Sequence, residues 1–428
     1  MAHVVFVDSG PAYLPALARA KQLGHRVTFV RPRDISMLQE TSTPEERIAE
    51  ALKPVDQVIA LDALETDLES QLRQLHTRHP VDALLTTSEM AVLPTARAAE
   101  SLGIRGTPVR HLAQAARKDV CRERLHAAHI RSPRHRTVTT ADQARAAAAE
   151  LGYPLVIKPS RGVAKEAAGI IRSPADLTAY FDGLHASRLL RSTALDAFLG
   201  TDLLMETYLE GELYSAEIAA NGGDPRLLML TRRKRAVHNE LIEVAALMPA
   251  DLPQEQAAEA ERYMREIFRE LRLTVGVYHV EFIMTKDGPA LVEINSRMMG
   301  GSSPTIYEHV TQVDPFDILI REHLGEPCEA PAPPFGRAGI VVVFGSVTGG
   351  VAPPDIERRV ARLREIYRPL RHGLGVRNGQ QLPEITGNFS ALGHFCLHAA
   401  TPDGALARGR QLLSDMEAAF ELPLARYR

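Results

Sequence analysis

The chain has 428 residues, 45% of them hydrophobic and 24% charged, with a net charge of −3 and three cysteines. That length holds about two to four domains with ample buried core, and the balanced charge excludes nucleic acid or an anionic membrane as an expected partner. Apolar runs of only strand length, an N-terminus without a signal-peptide core, and Cys121, Cys328 and Cys396 too far apart for a zinc or redox motif read together as a cytoplasmic protein with reduced, mostly buried thiols.

Residues 1–112 alternate strand and helix patterns. Strands are expected over 3–8, 26–30, 58–61 and 83–86, and helices over 13–23 and 88–102, stopped by Gly24 and Gly103. This alternation specifies a small parallel α/β sheet. The turn Asp8-Ser9-Gly10-Pro11 lacks the GxGxxG spacing of a dinucleotide loop. Thr86-Thr87-Ser88-Glu89 falls at the C-terminal end of a strand, where ligands commonly approach, so Glu89 is a candidate substrate contact; Ser88 reads first as a helix cap.

Beyond residue 113 the pattern changes. Lys118 opens a helix that runs to 128, followed by a strand at 134–138 and an Ala-rich helix at 141–151. The strand at 153–159 carries Lys158 near its end, where a cation is costly without a partner. A polar turn over 160–166 follows, then a strand, kink and turn over 203–212 and a strand at 214–220. The basic run from Arg232 to Arg235, with His238 just after it, reads as a solvated face in preference to a cover for a triphosphate or a substrate carboxylate. An amphipathic helix at 256–271 leads into a hairpin.

That hairpin is the most informative stretch. Strands on either side of Lys286-Asp287-Gly288 suggest a three-residue turn with Gly288 left-handed. If residues 285 and 289 flank the turn, Glu281 lies opposite Glu293 and His279 opposite Asn295, with each opposed pair on a shared face. Two carboxylates a strand apart repel unless a cation sits between them, and the oxygen-rich set Glu281, Glu293 and Asn295 suits Mg²⁺. His279 reads as a satisfied structural histidine in preference to one that orders a metal ligand. Past a Pro- and Ala-rich linker over 327–334, residues 335–428 read as an α+β domain, with strands over 339–347 and 392–400 and a closing helix over 403–420.

Four separated features, in this order, resemble the ATP-grasp superfamily across nearly the whole chain: Lys118 at a helix start, Lys158 in Leu155-Val156-Ile157-Lys158-Pro159, the segment from Glu206 to Glu212, and Glu281 with Glu293-Ile294-Asn295-Ser296-Arg297. The resemblance implies an ATP-grasp fold of α/β and α+β character. An N-terminal parallel α/β domain (1–112) would precede an ATP-grasp domain (113–326), with a small lobe over about 116–205 and a large lobe over about 206–326, and a lid-like C-terminal α+β domain (335–428) would follow. It implies that Lys118 and Lys158 contact ATP phosphates beneath a turn containing Ser160 and Gly162, that Glu206, Tyr208 and Leu209 form the adenine hinge, and that Glu212 accepts from the ribose. Glu281, Glu293 and Asn295 would hold Mg²⁺, with Mn²⁺ as a substitute, and Arg297 would be the catalytic residue that stabilises an acyl phosphate and the oxyanion after it. The turn over 160–166 departs from the family pattern, having one Gly where many members are rich in Gly and Ser. A phosphate cradle helped by Arg161 or Lys165 and a plain connecting loop both stay open.

Within that superfamily, Gly276-Val277-Tyr278-His279-Val280-Glu281, Arg297-Met298-Met299-Gly300-Gly301 and Glu243 with Pro249-Ala250 are most similar to L-amino acid ligases. The likeness implies an ADP-forming carboxylate–amine ligase that joins small-molecule substrates, amino acids above all. Gly300, Gly301 and Ser302 would hold a substrate carboxylate, His238 would be a further contact, and a homodimer would be usual. An ATP-grasp carboxylase using bicarbonate and a non-catalytic ATP-binding subunit are the alternatives.

Overall fold

The computed structural model describes residues 1–41, 43–162, 167–188, 191–223, 225–387 and 390–427. The first sheet is parallel, built from β1 (His3–Val7), β2 (Arg26–Pro32), β3 (Gln57–Leu61) and β4 (Ala83–Leu85) in the order β3-β2-β1-β4. Val4 to Val7 are all buried, as a parallel strand covered by helices on both faces requires.

The second sheet is antiparallel: β5 (His135–Val138), β6 (Leu155–Pro159), β7 (Gly169–Ile171) and β8 (Leu203–Thr207), ordered β5-β8-β6-β7. Behind it lies the helix Ala141–Leu151, capped by the Thr140 hydroxyl and burying Ala144, Ala147, Ala148 and Leu151 along one stripe.

The third sheet has eight strands and organises the molecule. It takes β9 (Glu212–Asn221), β10 (Arg226–Arg235), β11 (Glu243–Met248), β12 (Val275–Thr285), β13 (Gly288–Asn295) and β14 (Ala338–Phe344); β15 (Gly350–Val351) pairs separately with β17 (Gln381–Leu382), while β16 (Arg371–Leu374) and β18 (Gly393–Ala399) complete the large sheet. The order is β13-β12-β9-β10-β11-β14-β18-β16. Residues after 335 therefore form no separate main sheet: β14 pairs with β11 from Ala245↔Val342 to Met248↔Gly339 and carries the sheet onward. One apolar cluster runs from Phe6 and Leu17 of the first unit through Met298, Met299 and Ile306 to Val341 and Cys396, fixing the N-terminal sheet against the large one. Cys121 and Cys396 are buried and Cys328 is half-buried, all as free thiols. Among the described residues, no helix is long and apolar enough to cross a membrane.

The β12–β13 hairpin corrects the expected turn. Thr285 pairs with Gly288, leaving a two-residue connection. The Thr285 hydroxyl accepts from the Asp287 N–H at 3.2 Å and donates to the Gly288 carbonyl at 2.7 Å, which draws residues 285 and 288 opposite each other. Gly288 does have positive φ, +104°. A bulge at Val292 then inserts one residue into β13, so that Glu281↔Glu293 and His279↔Asn295 stand opposite as the sequence spacing predicts.

Candidate active site

The bulge has a second effect: it leaves the Val292 carbonyl without a ladder position, and two cations take it up. Arg122 Nη2 donates to it at 2.7 Å and Lys158 Nζ at 3.4 Å. The same two side chains bracket Glu206, with Arg122 Nε 2.7 Å from one carboxylate oxygen and Lys158 Nζ 2.7 Å from the other. Burial pushes the Glu206 carboxyl up, but Arg122 and Lys158 outweigh it and hold it below the usual range. Glu206 is thus the counter-ion of the basic cluster. Arg122 was not legible as a site residue; its one mark is a position one turn beyond Lys118 on the same helix, Lys118–Ala127. Lys118 itself reaches across to Glu293, Nζ to Oε2 3.2 Å.

These groups close one end of a slot between the second and third sheets. Val156 and Ile170 form one wall and Leu213, Ile283 and Leu291 the other, with Tyr208 and Leu209 at the edge that joins the sheets. A flat apolar gap ending in lysines and carboxylates suits an aromatic base with a polyphosphate tail. Gly162 lines it too, and a Cβ there would stand 3.4 Å from Lys118 Nζ. Ser160 contributes differently: its carbonyl accepts the Lys118 N–H at 2.9 Å, while its buried hydroxyl has no hydrogen-bond partner among the described residues. Arg161 lies over the Phe198 ring at 4.4 Å, and residues 163–166, Lys165 among them, lie outside the described residues.

Glu212 is not brought to the slot; its half-exposed carboxylate pairs with Arg232 at 3.2 Å. Glu240 lines the slot instead, accepting from the Tyr208 hydroxyl and lying 3.3 Å from Arg172 and 3.4 Å from Arg235. It sits in the connection between β10 and β11, where no periodicity marks it.

A second cavity of about 620 Å³ opens on the other side of the hairpin. Glu281 and Glu293 line both cavities, so the carboxylate pair forms their common wall. Asn295 joins them there, its amide donating to Glu293 at 3.2 Å. Arg297 is held by Glu89, Nε to Oε2 3.2 Å, and by the Met298 carbonyl at 2.9 Å. Burial raises the Glu89 carboxyl against the pull of Arg297. Gly300, Gly301 and Ser302 line the same cavity ahead of the helix Ser303–Thr311; the φ of +60° at Gly301 is one that glycine adopts readily. Ser88 makes no cap hydrogen bond at the short turn Glu89–Ala91, so the capping expectation gives way, and the loop serves to aim Thr87 and Glu89 at the cavity. His238 is exposed and lines neither cavity. Within the basic run, Arg233 lines the second cavity, paired with Glu243, and Arg235 lines the first; a register shift in β10 between Lys234 and Arg235 breaks the alternation that would put both on one face.

His279 touches a metal candidate after all. Its Nδ1 lies 2.7 Å from Glu217 and its Nε2 3.4 Å from Glu281. Burial lowers its pKa, yet the Glu217 carboxylate and both hydrogen bonds prevail and hold it up at about 9. The second oxygen of Glu281 is buried without a hydrogen-bond partner among the described residues. An orphaned carboxylate oxygen facing a second carboxylate and an amide fits a divalent cation. Among the described residues no three His, Cys, Asp or Glu side chains gather into a protein-only metal cage.

An apolar slot between two sheets, ending in lysines and acidic residues, is the layout of a nucleotide cleft, and sequence comparison agrees. The ATP-grasp domain profile matches residues 151–306 and the ATP-grasp N-terminal domain profile matches residues 17–106. The chain belongs to the ATP-grasp superfamily. Within it, the chain is similar to the alanine–anticapsin ligase of Bacillus subtilis, 24% identical over 267 residues that make up 60% of this chain and 57% of that protein. It spans little more than half the length of the curated relatives it matches first, 55% and 57%. Solved structures share the fold. The L-amino acid ligase from Bacillus licheniformis is 18% identical, with a TM-score of 0.75 and coverage of 100% of this chain and 99% of that one. The biotin carboxylase domain of the Hydrogenobacter thermophilus 2-oxoglutarate carboxylase, in complex with MgADP, ADP and bicarbonate, is 17% identical, with a TM-score of 0.67 and coverage of 99% and 91%.

Proposed function

We propose that this protein is an ATP-dependent carboxylate–amine ligase that forms an amide between two amino-acid-like substrates and releases ADP and phosphate. The observation that carries the reading is the shared wall: Glu281 and Glu293 face the nucleotide slot on one side and a cavity of about 620 Å³ on the other. That volume exceeds what bicarbonate needs and suits two amino acids. The alanine–anticapsin ligase relative supports the same class.

Lys118 and Lys158 would bind the phosphates, and Tyr208 and Leu209 would border the base. Mg²⁺ held by Glu281, Glu293 and Asn295 would offset charge on the transferred phosphoryl group. A substrate carboxylate oxygen attacks the γ-phosphorus, the bond to the β–γ bridging oxygen breaks, and ADP leaves an acyl phosphate behind. The amine nitrogen of the second substrate adds to the acyl carbon, loses a proton, and expels phosphate. Arg297, oriented by Glu89, would stabilise the oxyanion, while Gly300 to Ser302 would hold the first substrate's carboxylate end. Strands β16 and β18 wall the far side of the cavity and would keep water from the acyl phosphate. The test is ADP release across an array of amino-acid pairs with Mg²⁺ and ATP. Release that requires a pair is expected. Release driven by bicarbonate alone would replace this reading with a carboxylase, and nucleotide binding without turnover would replace it with a non-catalytic subunit.

A further inference from the structure

The substrate cavity is walled by both edges of the eight-stranded sheet. Glu293 stands on β13 at one edge and Arg371 on β16 at the other, so the sheet curls to bring them to one space. The carboxylates of this cavity are engaged near the hairpin: Glu89 with Arg297, Glu243 with Arg233, Glu281 with His279, and Glu293 with Lys118. At the β16 edge the balance is reversed. Arg371, Arg47 and His394 line the cavity there, and no carboxylate among the described residues pairs with any of them. The Arg371 guanidinium makes no hydrogen bond to the described residues, and Arg47 only donates to the Pro11 carbonyl at 3.0 Å. His394 Nε2 is buried and has no hydrogen-bond partner among the described residues. The local backbone is shaped around this group. Gly373 lies opposite His394 across the β16–β18 ladder, and a Cβ there would come within 2.6 Å of the imidazole Cε1. Two like charges on one cavity edge, with no counter-ion among the described residues, are costly unless an anion joins them.

We propose that Arg47, Arg371 and His394 form a subsite for a carboxylate of the substrate that takes no part in the bond being made. The inference rests on the ligase reading for the word substrate, and it deepens that reading: one of the two partners carries a second, non-reacting carboxylate. Two sources share this chemistry. The group is either the α-carboxylate of the amino acid that supplies the amine, or a distal carboxylate on the side chain of one partner.

Titration calorimetry on the full chain with Mg²⁺ and a non-hydrolysable ATP analogue separates them without needing turnover. The probes are L-alanine against L-alaninamide and L-glutamate against L-glutamine. In one pair the free acid is expected to bind about 10- to 100-fold more tightly than its amide, the worth of a charge-assisted hydrogen bond. That preference is lost in Arg371→Ala and partly regained in Arg371→Lys. A preference in alanine locates the α-carboxylate, and one in glutamate alone locates a side chain. Acid and amide binding alike in both pairs, or a preference that survives Arg371→Ala, would overturn the subsite. Absence of ADP release from every amino-acid pair, with the Arg371-dependent preference intact, would instead sink the ligase reading and leave an anion subsite of a binding protein.

Discussion

Replacing Arg122 with Met removes the side chain that ties the small sheet to the β12–β13 hairpin while keeping its apolar stem. Arg122 is fully buried and makes two contacts at 2.7 Å, to Glu206 and to the Val292 carbonyl. Removing one partner of a buried ion pair costs about 3–5 kcal/mol. Lys158 remains 2.7 Å from Glu206, so the carboxylate keeps one cation and the low end, about 3 kcal/mol, applies. The lost bond to the bulged carbonyl adds about 1 kcal/mol. The sum, about 4 kcal/mol, is a change of nearly a thousandfold in the unfolding equilibrium. The chain has no Trp, so far-UV circular dichroism is the probe for urea unfolding. Arg124→Met is the control, since its pair with Glu270 is partly exposed and worth less than about 1 kcal/mol. The double variant Arg122→Met/Glu206→Gln is expected to be less unstable than the two single effects added together. An Arg122→Met midpoint no lower than that of Arg124→Met, or strict additivity in the cycle, would refute the clamp.

Three further outcomes follow from the same geometry. Glu281→Gln keeps the shape but removes the charge of an orphaned, buried oxygen; ADP formation at fixed Mg²⁺ should fall by about 100-fold or more, with Mn²⁺ affinity read by electron paramagnetic resonance falling alongside it. Glu240→Ala should raise the KM for ATP about tenfold, while Glu212→Ala, whose carboxylate lies outside the slot, should change it by less than about threefold. Burial, with Arg371, His372 and Arg47 adding to it, pushes the His394 imidazole down to about 4. Because that is below the unfolded value, the unfolded chain takes up the proton first as pH falls. The contribution is present in full above about 6.5 and is lost towards 4, so urea midpoints measured at pH 7.5 and 5 should differ less in His394→Gln than in the parent chain.

Much of the site was legible because it is local. Strand parity placed Glu281 against Glu293, and a helix start and a strand end exposed Lys118 and Lys158. The hairpin turn was not, since its length is set by one hydroxyl, that of Thr285, and the register survived because the Val292 bulge restored the residue that the shorter turn removed. Arg122 escaped notice because its partner is 84 residues away, beyond any periodicity. The same holds for the C-terminal strands. Their pattern announces strands, but only the pairing of β14 with β11 makes them part of the large sheet and of the second cavity. Glu212 and His238 show the converse: residues that the family resemblance put forward, whose side chains the fold turns towards Arg232 and towards solvent.

The most direct measurement uses a substrate pair that supports ADP release, with the reacting carboxylate labelled by ¹⁸O. Attack on the γ-phosphorus and later expulsion of phosphate by the amine carry one labelled oxygen from carboxylate to phosphate. Phosphate bearing a single ¹⁸O, formed in step with ADP and an amide seen by mass spectrometry, is the expected result. Amide formation with unlabelled phosphate, or ADP released with no amide at all, would contradict it.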